Sequence, residues 1–173
     1  MSGRFLFRAA LAGTMVAALV AAPAILMASA NRVDIEPEKG AFKDPVQAYK
    51  STLCSGGKCI GTDDGIAPKG EECGGYCKIT FNVATSGNYV FWGRAKWKDD
   101  CGDSFYIKVD SGSKQVFGEQ GREGKWEWFK GPKFNLSAGD HTLYIYGRED
   151  GAFLDKVIFL DAASQYTPQG KSG

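Results

Sequence analysis

Histidine occurs once in the 173 residues, at His141, and proline only six times. A single imidazole leaves no histidine-rich metal site and no second ring for paired acid and base work. It follows Gly139-Asp140 at a predicted strand start, where a structural role is expected. No Ser/His/Asp or Cys/His arrangement has motif context. Carboxylates at Glu119, Glu127, Glu149 and Asp150 lie near predicted loops, but a chain with 24% charged residues supplies such groupings by chance. The chain is therefore read as non-enzymatic. Cys-x-x-Cys is also missing, which removes c-type haem attachment and thioredoxin-like chemistry. Gly56-Gly57 and Gly74-Gly75 lack the Gly-Lys-Ser/Thr ending and following helix of a phosphate loop. Excess positive charge is absent too. Two of the 21 basic residues, Arg4 and Arg8, lie in the first thirty positions, leaving 19 basic against 20 acidic residues beyond them. Such a balance provides no net field to hold nucleic acid or an anionic membrane surface.

What is present begins with Arg4 and Arg8 ahead of an apolar run, Ala9 to Met27, and then Ala28-Ser29-Ala30. These are the charged, apolar and small-residue parts of a secretory signal cleaved after Ala30. An uncleaved anchor is the competing reading, because the run as a helix spans roughly 28 Å, near the thickness of a bilayer core. Pro23 and the abundance of Ala weigh against a stable span. Either way the body is expected to be exported, periplasmic or extracellular, and in the anchor reading tied to the inner membrane through residues 1–30.

Five cysteines, Cys54, Cys59, Cys73, Cys77 and Cys101, suit an oxidising compartment, and their odd number leaves at least one unpaired within the chain. The first four are spaced more loosely than zinc knuckles. The expected staples are Cys54 to Cys59, closing a Gly-rich loop, and Cys101 to Cys77 or Cys73.

From Val33 onward, short alternating runs are broken by Gly, Asp and Asn, and no helical period of useful length appears. Strands are predicted at Val33–Glu38, Tyr76–Val83, Tyr89–Trp97, Phe105–Val109, Lys133–Leu136, His141–Gly147 and Phe153–Leu160. Residues 44–72 form a long excursion. Seven to nine strands without a helical crossover predict an all-β sandwich or jelly roll over 31–162, with a Cys-rich loop at 50–77 and a tail at 163–173. The tail is expected to run along the surface or dock on a neighbour.

In order, Ile35-Glu36-Pro37-Glu38, Gly87 to Arg94, Asp103-Ser104-Phe105 with Val109-Asp110, Trp126-Glu127-Trp128, Ala138 to Leu143 and Arg148 to Val157 span nearly the whole body. This succession resembles the jelly-roll carbohydrate-binding modules of the galactose-binding-domain-like superfamily. The resemblance implies a sugar-binding sandwich. It also implies a structural Ca2+ held by Glu36, Glu38 and Asp155, a hard-oxygen set suited to that ion. Alternation places Asp155 on the inward face with Val157 and Phe159, where a charge needs a partner. Arg94 or Arg148 is the alternative to the ion. Glu36-x-Glu38 would put both carboxylates on one strand face.

Sugar rings stack on indole while polar side chains take their hydroxyls, so a glycan site needs both kinds on loops at one end. Trp97, Asp103, Arg122, Trp126, Trp128 and Asp150 are the expected contacts. Trp92, in mid-strand, is expected in the core, and one of Trp126 and Trp128 is expected to pack inward. The departures from such modules are a longer Cys-rich region and stand-alone placement. They leave a second reading open, an accessory subunit of a membrane or cell-envelope complex that uses the sandwich for protein contacts.

Overall fold

The computed structural model describes residues 31–68, 71–119 and 123–173; the leader (1–30) and Arg122 lie outside the described residues. The described residues form eleven strands: β1 (Arg32–Ile35), β2 (Ala41–Lys43), β3 (Gln47–Lys50), β4 (Lys58–Gly61), β5 (Gly74–Val83), β6 (Gly87–Lys96), β7 (Ser104–Val109), β8 (Gln115–Gly118), β9 (Glu127–Leu136), β10 (Gly139–Gly147) and β11 (Phe153–Asp161). One sheet runs β3-β4-β11-β6-β9 with β1 also on β11, and the other runs β2-β5-β10-β7-β8. All these pairings are antiparallel. The two sheets form the expected sandwich. No helix among the described residues is long and apolar enough to cross a membrane.

Three element boundaries differ from the sequence reading. The first strand stops at Ile35 because Pro37 starts a 3-10 turn, Pro37–Lys39, so Glu36 and Glu38 do not share a strand face. The long excursion contains a hairpin of its own, β3 and β4. The strand read from Lys133 begins at Glu127, with Gly131-Pro132 inside it. Proline is tolerated there because β9 is an edge strand whose register on β6 slips between Val90 and Trp92.

Alternation along the strands fills the space between the sheets. Phe105, Ile107, Leu143, Ile145, Val157 and Phe159 are fully buried. Aromatic rings run through this core in contact: Phe81 stacks on Phe159 at 4.8 Å, Phe91 meets Phe159 and Phe117 at 5.6 and 4.9 Å, and Trp97 meets Phe117 and Phe129 at 5.8 and 5.1 Å. Each such pair adds about 0.5–1.5 kcal/mol beyond its buried area. Phe117 enters from β8 where two glycines face it. A Cβ on Gly93 would sit 2.4 Å from its Cζ, and one on Gly131 would sit 2.8 Å from its Cδ2.

His141 closes the opposite end of β10 from the Arg148–Gly151 bend. Its Nδ1 lies 2.6 Å from Asp110 Oδ2 and its Nε2 lies 2.9 Å from the Ser137 carbonyl. Burial opposes its charge, but these two acceptors outweigh burial and raise its pKa. The ring is a turn brace.

The tail lies along the outer face of the six-stranded sheet. Trp128 Nε1 donates to the Gly170 carbonyl at 2.8 Å and Arg32 donates to the Ser172 carbonyl at 3.0 Å. Trp92 lies on this outer face rather than in the core, with Lys130 6.0 Å above its ring and Tyr166 and Thr167 lining the same hollow.

Gly93→Ala should destabilise the domain by about 2 kcal/mol through overpacking against Phe117 and Leu154. Urea unfolding of the variant and the parent measures it, and an unchanged midpoint would mean that this contact relaxes freely.

Candidate functional site

β4 and β1 share one edge of β11. β4 pairs with Phe153 and Leu154, and β1 pairs with Val157 to Leu160. Asp155 falls in the gap between them, at an irregularity in the pairing with β6. Its carboxylate is fully buried. Arg94 ion-pairs with Oδ2, the Ser55 amide donates to Oδ1 at 2.8 Å, and the Ser55 hydroxyl lies 3.3 Å from Oδ1. Desolvation raises the Asp155 pKa, and Arg94 opposes that rise. Of the two arginines that the sequence left open as its partner, Arg94 and Arg148, Arg94 is the one found.

Glu36 and Glu38 converge on the same turn. The Ser55 hydroxyl donates to Glu36 Oε2 at 2.7 Å, and Lys156 Nζ lies 3.5 Å from Glu36 Oε1. A Cβ on Gly56 would lie 2.8 Å from Glu38 Oε1, so glycine is needed there both for this approach and for its φ of +60°. Glu38 Oε2 is buried and has no hydrogen-bond partner among the described residues. Burial raises the Glu38 pKa, and the neighbouring Glu36 and Asp155 charges add to the rise. The three carboxylates are not drawn together as closely as the ligand atoms of Asp99, Asp100 and Cys101 are on the loop after β6. The set is all oxygen and carries one unpaired buried acceptor, a chemistry that fits a hard cation.

At the end of the sandwich nearer Asp155, four connections meet: β4 to β5, β6 to β7, β8 to β9 and β10 to β11. They enclose two adjoining clefts. One, of about 260 Å³, is lined by Asp63, Asp64, Lys96, Lys98, Gly124, Gly151 and Phe153. The other, of about 160 Å³, is shaped by Asp64, Pro68, Cys101, Glu149 and Asp150. Phe153 offers a ring braced edge-on by Tyr49 at 5.2 Å, and the Tyr49 hydroxyl donates to Asp63 at 2.8 Å. Lys98 pairs with Asp64. An apolar ring among charged side chains can present a stacking surface together with donors and acceptors.

The expected contacts separate into three groups. Trp97 is in the core, 1% exposed, and cannot stack on a ligand; its Nε1 has no partner among the described residues. Trp126 and Trp128 both face outward, since residues two apart share a strand face, and neither packs inward. Trp128 lies under the tail. Trp126, half-buried beneath the Arg94 guanidinium at 5.2 Å, comes opposite Lys96 if the β6 to β9 register is continued, beside the first cleft. Asp150 lies in the second cleft and accepts from the amides of Ile66 and Ala67 at 2.8 and 3.2 Å. Asp103 lies against Glu149. Burial and that neighbouring carboxylate push its pKa up to about 6. Ser104 and Arg148 hold Glu149, and Arg148 also reaches Glu119 at 2.8 Å.

Asp63, Asp64, Lys96, Lys98, Phe153 and Ser55 were not anticipated. Alternation could have found two of them, because an inward Trp97 turns Lys96 and Lys98 outward.

All five cysteines are free thiols in the structure. Cys77 lies inside β5 and donates to the Pro37 carbonyl at 3.1 Å, whereas Cys101 lies on a loop against Asp100. None of the expected staples, Cys54 to Cys59 or Cys101 to Cys77 or Cys73, is closed in the structure; Cys77 is held in a strand interior and Cys101 on a connection.

No protein-family model and no curated protein sequence matches the chain. Solved structures do. A family 35 carbohydrate-binding module from Clostridium thermocellum is 17% identical, with a TM-score of 0.59 over 73% of this chain and 97% of that one. The C-terminal CBM6 of LamC, a marine laminarinase from Zobellia galactanivorans, is 21% identical, with a TM-score of 0.58 over 76% of this chain and 100% of that one. An exo-β-1,3-galactanase from Phanerochaete chrysosporium is 22% identical, with a TM-score of 0.56 over 76% of this chain, which spans 29% of the enzyme. At these identities the likeness is one of fold: the described body is a two-sheet antiparallel β-sandwich, an architecture it shares with these carbohydrate-binding modules.

Proposed function

We propose that the protein is an exported, non-catalytic sugar-binding module whose site is the cleft floored by Phe153. The observation that carries this reading is an aromatic face set among Asp63, Asp64, Lys96 and Lys98 where loops meet at one end of the sandwich. A pyranose ring would lay its C–H face on Phe153, with Trp126 at the side. The carboxylates would accept from ring hydroxyls and the lysines would donate to hydroxyl or carboxylate oxygens. A cleft of this size lies below the usual range of about 300–1,000 Å³, which suits a single residue or a chain end. The fold shared with carbohydrate-binding modules supports the reading.

A structural Ca2+ belongs to the same proposal. Glu36, Glu38 and Asp155, with the Ser55 hydroxyl, would hold it, and its charge would satisfy Glu38 Oε2. The ion would supply structural cross-linking, tying the 3-10 turn after β1 and the β3 to β4 turn to β11. Arg94 keeps Asp155 oriented whether or not the ion is present.

Asp103 makes the rim of the site pH-sensitive. Its folded pKa, about 6, is raised above the ordinary aspartate value, so folding takes up a proton. The stability it contributes is present in full below the unfolded pKa and is lost as pH rises through about 6.

Three outcomes are expected. On a panel of neutral and acidic glycans, Asp64→Ala and Trp126→Ala should each weaken the best binding at least tenfold while the melting temperature holds. An empty panel, or affinities indifferent to both changes, would remove the sugar site. Chelator should lower the melting temperature of the parent by several degrees and leave Glu38→Gln unmoved; equal melting with and without chelator would remove the ion. Finally, Asp103→Asn should be more stable than the parent by about 1 kcal/mol at pH 7.5, after allowance for solvent screening, and not at pH 4. Urea unfolding at the two pH values measures the difference.

A further inference from the structure

We propose that Cys54 and Cys59 form an intramolecular disulfide that closes the β3 to β4 turn and fixes Ser55 against Asp155. Both thiols are buried, at 4% and 2% exposure, and each lies within the electrostatic field of the other. Both ends of the bridge are held by backbone. Cys59 is paired with Tyr49 in the hairpin. Cys54 is set by a bond from its amide to the Ser51 carbonyl at 3.2 Å and by the Gly57 amide bonding to the Cys54 carbonyl at 3.3 Å. The Ser51 amide to Gly57 carbonyl bond, 3.0 Å, closes the loop around them.

The remaining thiols are committed elsewhere. Cys77 gives its proton to the Pro37 carbonyl, Cys73 lies at the Gly74 carbonyl and against Gly147, and Cys101 faces Asp100. Cys54 and Cys59 therefore have each other as the sulfur partner, and the three others balance the odd count without a second bridge.

The chemistry is thiol–disulfide exchange with an external organic disulfide. The thiolate of one cysteine attacks that disulfide and forms a mixed disulfide, expelling one external thiolate. The second cysteine then attacks the protein sulfur, forming the Cys54–Cys59 bond and expelling the other. Two protons leave the protein thiols, and the external disulfide is reduced to two thiols.

The bridge spans Ser55-Gly56-Gly57-Lys58. These residues carry the amide and hydroxyl that bind Asp155 and Glu36 and the glycine that admits Glu38. Locking the turn removes its open conformations from the unfolded chain and holds Ser55 in place.

Trypsin provides the test, because Lys58 lies between the two cysteines and is exposed. The full chain is refolded with reduced and oxidised glutathione, blocked with iodoacetamide and digested without reductant. Peptides 51–58 and 59–69 are expected as one species held by the bridge, two hydrogen atoms lighter than the sum of the reduced pair and separating on reduction. The Ser55 amide should exchange at least tenfold faster in a Cys54→Ser, Cys59→Ser double variant. Alkylated Cys54 or Cys59 in the oxidised protein, or either one joined to Cys73, Cys77 or Cys101, would overturn the proposal. If the double variant does not fold, the peptide map of the parent decides alone. The map is read without glycan or calcium, so its outcome is independent of the proposed sugar site and ion.

Discussion

A carboxylate without access to water imposes the arrangement around it. Asp155 can be charged in the interior only if donors are brought to it, and the chain brings them from two directions: Arg94 across the sheet from β6, and the Ser55 amide from a turn a hundred residues earlier. The gap that admits them exists because two short strands, β4 and β1, divide one edge of β11. Removing the arginine would leave a buried charge held by Ser55 alone, whereas removing the acid would leave a guanidinium facing a hollow. The pair is a constraint on geometry before it is a source of stability.

The same strand connects this interior cluster to the outer cleft. Phe153 and Asp155 are separated only by Leu154, itself fully buried. A rigid Asp155 therefore fixes the position of the Phe153 ring two residues away. The cleft also takes Lys96 from β6, two residues beyond Arg94 and on the same outward side. Both partners of the buried ion pair thus have a neighbour in the wall of the cleft.

The sequence made the sandwich legible because period-two alternation is a direct record of burial. Ile79, Phe81 and Val83 lie on one face, as do Phe105, Ile107 and Val109. Asp155 is buried as expected but not by the expected route: the irregularity between Leu154 and Lys156 turns Leu154 into the core and Asp155 to the side of Arg94, away from the face of Val157 and Phe159. Its partner could be narrowed to arginines but not fixed, since pairing depends on register across strands distant in sequence. The aromatic contacts were the least legible part. A tryptophan at a strand end has the composition of a stacking platform whether it points in or out, and Trp97 points in because Phe105, Phe117 and Phe129 make room for it. Trp92 was misplaced for the converse reason: its position on β6 faces a tail whose docking leaves no periodic signal. Pro37 ended the first strand early, yet the two glutamates still met at the Gly56 turn by a route that strand alternation does not describe.

Phe117 occupies a socket cut by Gly93 and Gly131 on two neighbouring strands of the opposite sheet. Three positions far apart in the chain therefore behave as one volume. In any natural or designed descendant of this scaffold they are free to drift only in concert: a methyl gained on either glycine asks for a slimmer side chain at 117, and a slimmer side chain opens room for the methyl.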